Sequence, residues 1–162
     1  MKISKCPIYD ELYSLYKSID CTAPSQESGG DVVLGDVDLL EVHSDFHQGI
    51  LTKLLSYHED YFMEKLKPHA FWGFRKYKRG SELRPHTDMP DTHHRGSSIT
   101  IDYSHDWDLY IEGQPVKLNK GDMLLIFGGA HGFRSKTEFK FIEVKQGPYL
   151  GVDDKERLIV ND

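Results

Sequence analysis

Phe71-Trp72-Gly73-Phe74-Arg75-Lys76-Tyr77 is followed by Lys78-Arg79-Gly80-Ser81 and then by Glu82-Leu83-Arg84-Pro85-His86-Thr87-Asp88. Just after Pro68, apolar and polar residues thus begin to alternate, and a glycine-bearing polar turn separates two such runs. Alternation with period two marks a strand with two distinct faces, and two runs joined by a short turn predict an antiparallel pair. The pattern expects Phe71, Arg75 and Tyr77 on one face, with Trp72, Phe74 and Lys76 on the other. Similar runs follow at 98–103, 107–112, 122–127 and 139–145, with a turn at Asn119-Lys120-Gly121-Asp122. Short strands at regular spacing argue for an antiparallel sandwich or barrel.

Upstream of Pro68 the period is helical. Ile8, Leu12, Leu15, Tyr16 and Ile19 predict a helix over 7–19. Pro24, Ser25, Ser28, Gly29 and Gly30 make 21–31 a loop. A second helix is expected over 40–66, with Ile50, Leu51, Leu54, Tyr61 and Phe62 on one side, ended by Pro68. The class is α+β and mainly β, with two N-terminal helices packed on one face of a barrel. At 162 residues the chain is one domain. Its helical support is expected over 1–68 and its barrel core over 69–147.

Composition narrows the function. With 38% hydrophobic and 28% charged residues the chain is not a disordered tail. No apolar run approaches the roughly 20 residues that span a bilayer, and no secretory leader pattern opens the sequence. Cys6 and Cys21 are too few for a disulfide framework or a four-cysteine zinc site, so a reduced, cytoplasmic setting is expected. A net charge of −6 disfavours non-specific nucleic-acid binding, although Lys76, Lys78, Arg79 and Arg84 cluster locally. The sequence is silent on oligomeric state.

Nine histidines point toward metal chemistry. Three His-X-Asp tripeptides compete: His43-Ser44-Asp45, His58-Glu59-Asp60 and His86-Thr87-Asp88. On a helix, residues i and i+2 point about 200° apart and cannot readily share one ion. On a strand they share a face. Only His86 and Asp88 fall on a predicted strand. His43 and His47 have the i, i+4 spacing of a zinc-binding helix, yet all three helix histidines lie on its apolar side, where packing against the sheet also accounts for them. His131 follows Gly128-Gly129-Ala130, a bend suited to aiming a side chain. Two imidazoles and one carboxylate occupy one face of an octahedron and leave the other positions open, the set used by non-haem Fe(II) oxygenases.

Arg75-Lys76-Tyr77-Lys78-Arg79-Gly80, Pro85-His86-Thr87-Asp88, Arg95, Thr100, Gly121-Asp122 and His131 together resemble the 2-oxoglutarate/Fe(II)-dependent dioxygenases, in the prolyl-4-hydroxylase-like branch, over roughly residues 70–145. The resemblance implies a double-stranded β-helix (jelly-roll, cupin-like) barrel. It implies Fe(II) held by His86, Asp88 and His131 as catalytic ligands, with 2-oxoglutarate and O2 as cosubstrates and ascorbate as an accessory reductant. In such enzymes the far carboxylate of 2-oxoglutarate meets a basic residue on a late strand, for which Lys140 is the first choice and Arg134 the second. Tyr77 resembles the tyrosine that often bonds the cosubstrate, although a purely structural aromatic fits as well. Thr100 is a pocket hydroxyl, and Arg84 shares the strand face of His86 and Asp88. Trp107 and Phe127 read as core.

The expected reaction couples decarboxylation of 2-oxoglutarate to succinate with hydroxylation of an unactivated C–H bond. The substrate is a prolyl or other side chain of a protein or peptide, or a small molecule. Asp88 favours hydroxylation over halogenation, because related halogenases lose that carboxylate. A non-enzymatic cupin-like metal-binding or sensor module and a nucleobase hydroxylase or demethylase are the alternatives. The segments 89–96 and 21–30 are the expected lids.

Overall fold

The computed structural model describes residues 1–19, 25–26, 32–40, 42–68, 70–88, 94–104, 107–128, 130–135, 139–145 and 155–157. In chain order the elements are β1 (Lys2–Lys5), α1 (Tyr9–Ser18), β2 (Ser25–Gln26), β3 (Val33–Leu34), β4 (Val37–Leu40) and α2 (Ser44–Phe62). Then come β5 (Ala70–Tyr77), β6 (Glu82–Asp88), β7 (Gly96–Tyr103), β8 (Asp108–Ile111) and β9 (Gln114–Lys117). The last are β10 (Asp122–Ile126), β11 (His131–Arg134), β12 (Phe139–Lys145) and β13 (Lys155–Arg157). A seven-stranded sheet has the order β1-β10-β7-β12-β5-β4-β2, and a six-stranded sheet has the order β13-β6-β11-β8-β9, with β3 also on β6.

The eight strands β5 to β12 alternate between the two sheets, with the β8–β9 hairpin as the one exception. Counted from β5, the order is 1-8-3-6 against 2-7-4-5, the strand order of a jelly roll, or double-stranded β-helix. Two apolar layers result. Tyr77, Leu124 and Ile126 from one sheet meet Leu83, Leu109 and Phe133 from the other. On the outer face of the larger sheet, Leu12 of α1 and Ile50, Leu51 and Leu54 of α2 cover Phe71, Phe74, Ile99, Ile101, Met123 and Leu125. β10 shows why its sequence is a continuous apolar run. Met123 and Leu125 face the helices, Leu124 and Ile126 face the other sheet, and both faces are covered.

Several expectations change at this level. The first third carries strands as well as helices: β1 lies on β10, β4 on β5 and β3 on β6. Leu40 belongs to β4, opposite Phe74, so α2 begins only at Ser44, with His43 as its N-cap accepting from the Asp45 amide. Met63 ends α2 in the left-handed region at φ 54. These short segments have no periodicity of their own; pairing with a longer strand makes them extended. Together with β13, they carry the two sheets beyond residues 69–147. The alternation over 71–77 also breaks. Gly73 takes φ 80 beside a register shift opposite Ile142 and Val144, and this places Phe71 and Phe74 together under the helices. Arg75 and Tyr77 keep the inward phase. Among the described residues, no helix is long and apolar enough to cross a membrane. Cys6 is buried, which pushes its thiol up to about 11 and leaves it inert, while Cys21 lies outside the described residues.

The helix histidines do not form a metal pair. His43 is exposed at the cap, and His47 stands edge-on to Phe71 with ring centroids 5.4 Å apart. His58 is buried on α2, with Nε2 3.1 Å from Ser97 Oγ of β7. Burial lowers its pKa from the ordinary 6.5 to about 4. Because the folded-state pKa lies below the unfolded one, the stabilising contribution is full above about pH 6.5. It is lost as pH falls from there toward about 4, and amounts to about 3 kcal/mol at most. Urea midpoints measured from about pH 7 down to about pH 4.5 are expected to fall more steeply for the wild type than for His58→Gln, the gap narrowing with acid. Parallel profiles would exclude His58 as the titrating group.

Candidate metal centre

β6 and β11 are neighbours in the six-stranded sheet, and their register sets His131 directly opposite His86. Asp88 lies two residues beyond His86 on the same strand, hence on the same face. One ligand atom from each of His86, Asp88 and His131 falls within 4.8 Å of the others. His86 Nε2 is 3.8 Å from Asp88 Oδ1, His131 Nε2 is 3.9 Å from Asp88 Oδ2, and the imidazole centroids are 4.3 Å apart. The Asp88 side chain is 7% exposed and the histidines less, so the cluster is almost removed from solvent.

A bulge makes this convergence possible. Between His131 and Phe133 the register shifts, so that Arg84 and Pro85 both oppose Gly132. A Cβ at position 132 would stand 2.7 Å from Leu83 O and Pro85 N and 2.9 Å from Arg84 C, so only glycine fits. The extra residue resets the phase of β6. Leu83 faces inward with His86, and alternation from Leu83 takes Arg84 to the other face. Arg84 contributes through its backbone instead. Its carbonyl oxygen is 2.8 Å from His86 Nδ1; a carbonyl only accepts, so Nδ1 carries the proton and Nε2 presents its lone pair. On the other side, Gly128 bends at φ 123, and the backbone at Ala130 is tied to Glu112 in both directions: its carbonyl accepts from the Glu112 amide (3.0 Å) and its amide donates to Glu112 Oε1 (2.7 Å). The donor set and its burial fit a ferrous ion held on one face.

A narrow cavity between the sheets runs from His131 past Ser98, Thr100, Trp107 and Leu124 to Phe133. Thr100 is buried in this lining, and among the described residues its hydroxyl has no hydrogen-bond partner. Tyr77 is buried one layer further, stacked edge-on to Phe133 at 4.7 Å. Trp107 is buried as expected, but Phe127 is 47% exposed and lies edge-on to Phe62 on the outer side. Arg134 is exposed, opposite Glu82, and is not brought to the cavity. Lys140 lies opposite Lys76 and Asp102, while Phe141 is the residue opposite Arg75 and Thr100. Arg75, which the alternation put on one face with Tyr77 without a binding role, is 7% exposed; that shared face was the signal for it.

The basic cluster is interleaved with acids. Lys78 Nζ is 3.0 Å from Asp36 and 3.1 Å from Asp38, which speaks against a phosphate cradle there. Of the 89–96 segment, Arg95 pairs with Glu64 at 2.5 Å; residues 89–93, His69, His105 and most of 21–30 lie outside the described residues.

No protein-family model matches the chain, and no curated protein matches it in sequence. Among solved structures it is similar to a protein described as a predicted oxalate decarboxylase from Thermotoga maritima, with TM-score 0.49 and 16% identity over 78% of this chain and 93% of that one. It is also similar to a protein assigned as ethanolamine utilization protein Q from Salmonella typhimurium, with TM-score 0.47 and 14% identity over 80% and 85%. A third is salicylate 1,2-dioxygenase from Pseudaminobacter salicylatoxidans, with TM-score 0.38 and 13% identity over 65% of this chain and 34% of that one.

Proposed function

We propose that the protein is an Fe(II)- and 2-oxoglutarate-dependent oxygenase that hydroxylates an unactivated C–H bond. The observation that carries this reading is the convergence of His86, Asp88 and His131 on the inner face of one sheet. Ferrous iron held by such a triad, with a 2-oxo acid on its open positions, activates dioxygen for C–H oxidation. The chain's own part is positional. The Arg84 carbonyl fixes the His86 tautomer, Gly132 lets β11 close on β6, and the apolar walls at Leu83, Leu124 and Phe133 keep bulk water from the reacting groups. The far carboxylate of the cosubstrate needs a cation between the sheets. Arg75, buried on the inward phase of β5, is the first candidate, ahead of Lys140, whose register position pairs with Lys76 rather than Arg75, with Thr100 as a neutral donor.

His86→Ala and Asp88→Ala should each weaken Co(II) binding at least about 100-fold, since loss of outer partners alone costs 10–100-fold. Each should also abolish succinate formation from 2-oxoglutarate while leaving the far-UV circular dichroism of the β-sheets intact. Wild-type turnover in either variant overturns the assignment.

Gly132→Ala should push β11 away from β6, costing roughly 1–3 kcal/mol and weakening Co(II) binding. Gly49→Ala, on α2 with nothing within 4 Å of its added Cβ, is the neutral or stabilising control, read by thermal melts and metal titration.

Of Arg75→Gln and Lys140→Gln, the variant that removes the cosubstrate's counter-charge should lose at least about tenfold in 2-oxoglutarate affinity. It should keep its affinity for 2-oxopentanoate, which lacks the far carboxylate. If neither variant separates the two ligands, the proposed cosubstrate site is wrong.

A further inference from the structure

α2 ends on a well-tied turn. Met63 takes the left-handed conformation, and the Leu66 amide donates to Glu59 Oε1 (3.0 Å), which folds the chain back onto the end of the helix. Glu64 stands on this turn. Its Oε1 lies 2.5 Å from Arg95 Nε and 3.5 Å from His94 Nε2. Both atoms of the Glu64–Arg95 contact are buried, although the two side chains are partly exposed. Arg95 also donates from Nη1 to the His94 carbonyl (2.8 Å), and its guanidinium carbon stands 5.2 Å from the centroid of the Phe62 ring. The guanidinium is thus gripped by a carboxylate, a carbonyl and an aromatic face.

The place of this contact in the fold ties it to the candidate ligands. Asp88 is the last residue of β6 and Arg95 the last before β7, so Arg95 is the far end of the connection that leaves the carboxylate. Gly96 opposes Ile126 across β7 and β10. Arg95 and Phe127, one residue beyond each, meet the same Phe62 ring, Phe127 edge-on with centroids 6.1 Å apart. Phe127 in turn precedes His131 by four residues. One turn earlier on α2, His58 Nε2 is 3.1 Å from Ser97 Oγ, on the second residue of β7. The end of α2 therefore holds two connections at once, the one that follows Asp88 and the one that precedes His131.

A strand-end residue is held in place by a fixed point on each side of it. For Asp88 the first is His86, buried and within hydrogen-bond distance of the Arg84 carbonyl. The second is the Glu64–Arg95 contact. Releasing it lengthens the span of chain between fixed points, and the entropic cost of closing the ligands on an ion rises with that span. We infer that Glu64 and Arg95 are positioning residues for Asp88, their ion pair fixing the connection behind that carboxylate, an inference that rests on reading the His86/Asp88/His131 cluster as a metal site. Removing either partner strands the other's buried charged atom, so neither substitution leaves the contact half-made.

The test uses the full chain titrated with Co(II) alone and read by its visible absorption. Glu64→Gln and Arg95→Gln should each raise the Co(II) dissociation constant about three- to tenfold. Each should also change the shape of the visible bands, because Asp88 no longer meets the ion at its native angle. The double variant should lose no more than the worse single variant, as two residues acting through one contact do. Arg95→Lys keeps the charge and should recover part of the loss. Lys53→Gln, which removes the 2.6 Å ion pair to Glu11 between the two helices, is the control. It should leave Co(II) affinity and bands unchanged, whatever it does to the melting temperature. Unchanged affinity and bands in Glu64→Gln and Arg95→Gln, with only a lower melting temperature, overturn the inference by making the pair merely structural. So does an equal loss in Lys53→Gln. A loss confined to Arg95→Gln overturns it too, since Arg95 would then act without Glu64. Absence of stoichiometric Co(II) uptake by the wild type, with His86→Ala no different, would instead remove the metal site itself and this inference with it.

Discussion

The register between β6 and β11 governs everything the candidate site can do. Side chains on a strand alternate, so slipping the pair by one residue would send His131 to the opposite face from His86. The bulge at Arg84–Pro85 against Gly132 pins that register from one side. The Gly128 bend, tied to Glu112 of the β8–β9 turn, pins it from the other. Between the two, Leu83 and Phe133 face each other across the pair and bury the same apolar layer. Packing and chemistry therefore favour the same pairing, since any slip that separates the donors also exposes Leu83 or Phe133.

Support for the larger sheet comes from the helices, and a neutral polar contact is buried between the two. Ser97, buried on β7, meets the His58 imidazole under α2. That imidazole is held uncharged by burial, so it sits between helix and sheet without the cost of desolvating a charge. The helical period alone puts all three helix histidines on the apolar side. It could not grade their burial, which runs from the exposed cap at His43 through the half-buried His47 to His58, because burial depends on which strand each turn of α2 meets.

Much of the architecture could be read from the chain because long elements carry their own period. α2 and the strands β5, β6, β7, β8, β10 and β12 announce themselves, and His86 with Asp88 follows from geometry once β6 is extended. The misses share a physical cause. β1, β2, β3, β4, β9, β11 and β13 are two to four residues long and are extended because a neighbouring strand offers hydrogen bonds. Gly73 and the Arg84–Pro85 bulge each insert one residue into a strand, and an alternation count carried past such a point reverses every face beyond it. That is why Phe74 joins Phe71 under the helices and why Arg84, expected beside His86, cedes the inward position to Leu83. Phe127 reads as core in the sequence, yet it lies one residue past the end of β10 and is largely exposed.

The architecture also sets the side from which the described donors approach an ion. All three donors come from adjacent strands of one sheet, so they approach an ion from one side. The facing sheet presents Ser98, Thr100 and Leu124 toward His131, hydroxyls and a hydrocarbon with no imidazole, thiolate or carboxylate among these cavity residues. A structural zinc site encloses its ion with four protein ligands, which would need a donor from across the sandwich. Among the described residues the cavity wall opposite the donors carries none, so coordination by these residues ends at three and leaves the side toward the opposing sheet for exogenous ligands. An open coordination face is thus a consequence of drawing every ligand from one side of a two-sheet fold, and the apolar lining beyond it limits which molecules can take those positions.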